Sequence, residues 1–385
     1  MKVALINPVF SVSHGGRERF SVNFARALCA DGHETHIFAQ RMEDLPEEAV
    51  MHPIPGFSGP GWWRFLGFQR AVRGALLSCG PFDVVYGLTR FFPLDIFRLG
   101  DGAHRLALER HYPSLWRRWP AMLVNPFHLI NLTLEKRLFA EDGCRFVVAN
   151  SAMIRDYVVQ RMGVRPERAA VVYNGVDHAC FAPEKAAPLR EETRRSLGLR
   201  DGDVALLCVA HDWRRKGVST LMEALPSLPE TVHAVVVGRG NPARFMKRAG
   251  ELGVAERMHF MPPAKEVLRY YAAADMLVLP TRYDPFANVC LEAMACALPV
   301  VTSSSNGAAE LLRNGVNGWV QRRADDAVEL AGIVRSFLEL SREERMRMGV
   351  CARETALEHT LERNLREMME LMRTVARERK ERLSC

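Results

Sequence analysis

Residues 283–299, YDPFANVCLEAMACALP, stand between two short apolar runs, VLPT at 278–281 and VVTSS at 300–304. An apolar run, a loop, a helix-length segment and a second apolar run describe a strand-helix-strand crossover, which joins parallel strands of one sheet. Asp284 lies in the loop ahead of the helix, and Glu292 lies inside the helix eight residues later. Such a loop can hold one carboxylate near a ligand while the helix presents the second. The backbone around Phe286, Ala287 and Asn288 then offers first-turn N–H groups to the same crevice. General acid-base work and hydroxyl binding are both open to this pair of acids.

The same alternation runs along the whole chain. Strands are predicted at VALINPVF, THIFAQ, FDVVYGL, FRLGD, RFVVANS and AAVVYNGVD in the first half, and at VALLCVA, VHAVVVGRG, MHFMP, DMLVLPT, PVVTSS and GWVQ in the second. Helix-length amphipathic segments separate them, so the fold class is α/β with parallel sheets. A length of 385 residues predicts two domains. The stretch HACFAPEKAAPLREETRRSLGLRDGD, rich in proline and charge, predicts a linker at 181–200 between domains 1–180 and 201–357. Residues 358–385 predict a C-terminal helix packing toward the first domain, with Leu361, Leu365, Met368, Met369 and Met372 on one face.

Composition narrows the partners. No segment approaches the ~20 apolar residues of a membrane span, and the opening MKVALINPVF reads as a buried strand rather than an export signal. The nine cysteines show no CxxC pair and no metal-ligand spacing, which predicts reduced thiols used as small hydrophobes. A net charge of +7 suits an anionic ligand or acidic surface, without distinguishing nucleotide, nucleic acid and lipid head group.

Four further stretches place chemistry at strand-to-helix turns. Gly15 and Gly16 follow the first strand, where backbone N–H groups and a helix N-terminus can meet a phosphate; an ordinary tight turn uses glycine too. Arg215 and Lys216, in VAHDWRRKGVSTLMEAL, follow the first strand of the second series and suit a diphosphate. An isolated charged turn would read simply as solvated surface. Glu310 sits in GAAELLRNGVNGWV, and Asp101 and His104 follow a strand in RLGDGAHRLALERHYP. A lone surface histidine is more often inert than catalytic.

In this order and spacing the motifs resemble those of the retaining glycosyltransferases of family 4. The match spans nearly the whole chain: the acid-x7-acid element from Asp284 to Glu292 with EAMACALPVV, the GxxE turn from Gly307 to Glu310, the early Gly-Gly turn, VVYNGVD and RKG. Within the family the chain is similar to the lipopolysaccharide core heptose glucosyltransferases. The resemblance implies the GT-B architecture, two facing Rossmann-like domains with parallel sheets and an interdomain cleft. It departs from the pattern twice. Asp284 stands where glutamate is usual, and His211 stands where arginine often opens the basic loop.

The resemblance implies transfer of a hexose from a nucleotide sugar, UDP-glucose first, to a saccharide or lipid-linked saccharide acceptor of the cell envelope. Glu292 would bind the ribose, Asp284 the transferred sugar, and Glu310 would lie near the nucleotide. Arg215 and Lys216 would neutralise the diphosphate in place of a metal, with Gly15 and Gly16 facing its phosphates, so neither metal nor cofactor is expected. Asp101 or His104 would approach the sugar or acceptor from the first domain. UDP-galactose, UDP-N-acetylhexosamine and GDP-mannose enzymes share these motifs.

Two stretches mix tryptophan with arginine, GPGWWRFLGFQRAVRGALL and HYPSLWRRWPAMLVNPFHLINL. Trp62, Trp63, Trp116, Arg117, Arg118 and Trp119 suit the anionic face of a membrane, which would make the protein cytoplasmic and peripheral. Ordinary core aromatics with outward arginines are the competing explanation. No nucleic-acid module pattern is present. A sugar-nucleotide 2-epimerase of the same fold, a basic binding protein without activity and a degenerate transferase are the alternatives.

Overall fold

The computed structural model describes residues 1–384 apart from 13–15, 113, 115, 117–121, 123 and 265. The chain forms two compact units, Met1–Tyr173 with Glu362–Cys385, and Asn174–Leu361.

The first unit is built on a seven-stranded parallel sheet in the order Val50–Pro53, Glu34–Ala39, Lys2–Ile6, Val84–Gly87, Ile96–Leu99, Phe146–Ala149, Ala169–Val171. Its inner strands are mainly apolar and buried along most of their length, as a sheet covered on both faces requires. The helix Gly16–Ala30 lays Val22, Ala25 and Leu28 on this sheet at spacings of three residues. Val50–Pro53 is absent from the sequence expectation because VMHP is short, almost wholly exposed and ends in proline, the composition of an edge strand.

The helix Leu361–Ser384 completes this unit. Met368 and Met372 are fully buried among Leu5, Phe24, Ile37 and Tyr86, and Leu365 and Met369 pack beside them. Ion pairs from Arg373 to Asp31, Glu378 to Arg145 and Arg379 to Asp95 edge the contact. Exposed pairs of this kind add little energy, so the methionine stripe carries the docking.

The second unit has a six-stranded parallel sheet in the order Met258–Met261, Val232–Val237, Val204–Val209, Met276–Leu279, Val300–Ser303, Gly318–Gln321. Residues 181–200 belong to it, with helices Pro183–Ala186 and Arg190–Ser196, where composition predicts a linker. The charges that suggest a linker are committed. Arg190 donates to the carbonyls of Ala272 and Ala274, and Arg194 to that of Ala273. Both reach Asp275, which accepts the Ala205 N–H. The cysteines of the described residues are free thiols, with Cys144, Cys208, Cys290 and Cys296 buried.

Candidate active site

Strand Val204–Val209 runs into the loop AHDWRRKG and then the helix Val218–Ala224. Trp213 anchors the loop. It is buried, stacks on Phe260, meets Phe245 edge-on and donates its indole N–H to the Ala210 carbonyl. Gly217 closes the loop with φ +79° in the left-handed region, and a Cβ there would lie 2.0 Å from the Pro280 carbonyl oxygen. Gly217→Ala is therefore expected to cost more than the ~1–2 kcal/mol of a left-handed alanine alone, because the backbone must also move. Urea unfolding measures this, and a loss below about 1 kcal/mol would contradict the packing described.

The loop carries Arg215 and Lys216 onto Asp284, 68 residues from Lys216 in sequence. The Lys216 ammonium donates to Asp284 Oδ2 at 2.5 Å and Arg215 Nη1 donates to the same oxygen at 3.1 Å. Phe286 N–H donates to Oδ1 at 3.2 Å. The side chains of Lys216 and Asp284 are only 11% and 10% exposed, that of Arg215 40%. Burial by itself would raise the Asp284 carboxyl, but the Lys216 and Arg215 charges overcome it and hold Asp284 below its usual range.

The helix Asn288–Ala295 follows. Two of the three backbone amides expected to meet a ligand are already spent, Phe286 on Asp284 and Ala287 on Asn306 Oδ1 at 3.1 Å. Asn288 receives a hydrogen bond from Asn174 on its side-chain oxygen at 2.6 Å. Glu292, one turn into the helix, accepts the Tyr271 hydroxyl at 2.7 Å. Tyr271 is held protonated by burial and then by the Glu292 charge, so it acts as a fixed donor. Glu310 is exposed in the turn Gly307–Leu311.

Asn306 joins the acid loop to that turn, and the sequence reading did not single it out. It is 1% exposed, accepts the Ala287 and Ala308 N–H groups and donates to Thr302 Oγ1. Its only sequence signal is an Asn-Gly dipeptide, which reads as a plain turn. Tyr271 was missed for a similar reason, since a tyrosine in an apolar run reads as core.

In the first unit, Gly16 opens the helix Gly16–Ala30, while Gly15 lies outside the described residues. Arg17, in the helix's first turn, pairs with Asp101 and with Glu18. The start of the helix Gly16–Ala30 and the loop after Ile96–Leu99 thus meet at the carboxyl edge of the sheet. His104 starts the helix His104–His111; its N–H donates to the buried Glu135 carboxylate at 2.5 Å and its ring contacts His128 at 3.0 Å. Burial, then Arg90 and His128, bring its pKa down to about 4. His104 is uncharged at neutral pH and a weak base, which restricts it to hydrogen bonding.

Trp63 and Trp116 are 55% and 70% exposed, and Leu66 and Leu129 are also exposed. Trp62 is half-buried edge-on against Trp63. Arg117, Arg118 and Trp119 lie outside the described residues. Among the described residues no helix is long and apolar enough to cross a membrane, and no group of three or more His, Cys, Asp or Glu is placed to hold a metal ion.

Two Rossmann-like parallel units, with cations and carboxylates at the carboxyl ends of the strands, define a GT-B protein. Over 97% of this chain and 99% of the other, the crystal structure of WaaG, a glycosyltransferase involved in lipopolysaccharide biosynthesis, superimposes with a TM-score of 0.82 at 24% identity. Anabaena Alr3699/HepE in complex with UDP-glucose matches with a TM-score of 0.72 at 21% identity, over 97% and 100% of the two chains. In sequence, the lipopolysaccharide glucosyltransferase WaaG of Escherichia coli is 27% identical over 85% of this chain and 87% of its own. D-inositol 3-phosphate glycosyltransferase 1 of Catenulispora acidiphila is 30% identical over 84% and 82%. Residues 14–179 match glycosyltransferase family 4 and residues 190–355 match the glycosyl transferases group 1. The chain belongs to these glycosyltransferases.

Proposed function

We propose that the protein transfers a hexose from a nucleotide sugar, UDP-glucose first, to a saccharide or lipid-linked saccharide acceptor of the cell envelope, lipopolysaccharide core included. The observation that carries this reading is the Lys216–Asp284–Arg215 cluster, a nearly buried ammonium and a guanidinium converging on one carboxylate at strand carboxyl ends. Preset cations in a low-dielectric site stabilise charge that develops on a leaving diphosphate, the task a metal performs elsewhere, so the reaction is expected to run in a chelator. No resident cofactor belongs to this reading.

Asp284 orients hydroxyls of the transferred sugar and Glu292, fixed by Tyr271, orients the ribose, with Glu310 at the nucleotide's edge. Phe286, Ala287 and Asn288 then shape the wall of the donor site. Retention of configuration follows if the departing phosphate takes the acceptor proton on the same face. That path asks for no charged histidine, in keeping with a neutral His104; Asp101 and His104 serve the acceptor by hydrogen bonding. The exposed tryptophans at 63 and 116 support a peripheral position on the cytoplasmic face of a membrane.

A thermal-shift panel of UDP-glucose, UDP-galactose, UDP-N-acetylglucosamine and GDP-mannose tests the donor. A ligand at a hundred times its Kd adds about 2.7 kcal/mol of apparent stability, and UDP-glucose is expected to give the largest rise in Tm. Absence of a shift with all four would refute a nucleotide-sugar site.

A further inference from the structure

The strand Val232–Val237, beside the basic loop, runs into a turn of Gly238, Arg239 and Gly240. Val209 and Val237 are register partners, so the two strands finish level, and Ala210 N–H donates to the Val237 carbonyl at 2.8 Å. Both glycines are forced by closeness to the Arg215–Lys216 loop. A Cβ on Gly238, whose φ is +136°, would sit 2.0 Å from the Ala210 carbonyl oxygen, and one on Gly240 would sit 2.1 Å from the Trp213 indole. The turn is therefore clamped to the loop on either side of Arg239.

Arg239 is exposed and makes no hydrogen bond or ion pair among the described residues. Its charge reaches the loop nonetheless. Burial first, then the charges of Arg239 and Lys216, push His211 below its usual range, so His211 adds no cation near neutral pH. Arg215 and Lys216 share Asp284, and Arg215 also pairs with Asp212 at 3.6 Å, so the two cations face two carboxylates and leave no net positive charge. A nucleoside-diphosphate leaving group brings about two to three negative charges near neutral pH. The cluster alone falls short of that.

Resting on the donor-site reading above, we propose that Arg239 is a further donor-binding residue, an unshared cation that meets the diphosphate. Arg is suited to this because its planar fork donates two hydrogen bonds to one phosphate.

The experiment titrates the full chain with UDP and with inorganic pyrophosphate, which removes dependence on the base. Arg239→Gln is expected to weaken both ligands about five- to tenfold, the scale of one partly exposed charge-assisted contact, with an unliganded Tm equal to wild type. Adding His211→Arg, its level neighbour, should restore at least half of the loss, which a merely structural role would not allow. Arg215→Gln is the control. If it weakens both ligands and Arg239→Gln does not, Arg239 is no ligand while the donor site stands. If neither variant differs from wild type, or wild type binds neither ligand, the donor-site reading falls and the role of Arg239 with it.

Discussion

Lys216→Met is expected to lose transfer activity about a hundred- to a thousandfold, the loss typical of one donor to a developing charge. It is also expected to cost roughly 3–5 kcal/mol of stability at neutral pH, because it strands the buried Asp284 carboxylate with Arg215 alone. The two effects separate by pH. In the wild type Asp284 is held below its usual range, so its contribution is present above the unfolded value and fades only as pH falls through the lower folded value. In the variant the burial penalty has lost its main opponent and the carboxyl rises. Folding then takes up protons, and the variant gains on wild type as pH falls from 7.5 to 5. Urea unfolding at those two pH values checks this; a gap that stays constant would dismiss the buried counter-ion. Lys216→Met with Asp284→Asn should regain stability without activity, and near-normal turnover of the single variant would remove Lys216 from the mechanism.

Asn306→Ala is expected to destabilise by about 2–5 kcal/mol and to raise the donor KM. The substitution leaves the Ala287 and Ala308 N–H groups without their acceptor, and an orphaned buried donor costs roughly 1–3 kcal/mol. Ala287 immediately precedes the helix bearing Glu292, so the effect passes into the donor site without Asn306 touching ligand. Urea unfolding and donor-dependent kinetics measure the pair of effects. A stability loss under about 1 kcal/mol would show that the loop does not depend on this side chain.

Strand positions were legible because a parallel sheet buried on both faces writes continuous apolar runs into the sequence, VALLCV and VHAVVV among them. Val50–Pro53 was not, since an edge strand lacks that mark. The stretch 181–200 misled for a related reason: its arginines, charged and outwardly solvent-seeking, are bound to backbone carbonyls that no local pattern announces. At the candidate site, Asp284, Arg215 and Lys216 stood out because each sits in the loop after a strand, and Glu292 because it lies in the helix that follows such a loop. Their joining did not, because the partners meet through space. The shorter reach of Asp284 relative to the family's usual glutamate also looks different once the partners are known. Its carboxylate lies within 2.5 Å of the Lys216 ammonium, and a longer side chain would have to reposition that contact.

The methionine stripe of the last helix sets a timetable for synthesis. Met368, Met372, Val375 and Ala376 line the same core as Val3 and Leu5, so the hydrophobic interior of the first unit draws on both the strand Lys2–Ile6 and the helix Leu361–Ser384. On a ribosome, where domains generally fold in order of emergence, this unit must wait with an open core while Asn174–Leu361 can already close. The unit begun first is finished last, and during that interval its uncovered apolar face is the surface most in need of a chaperone.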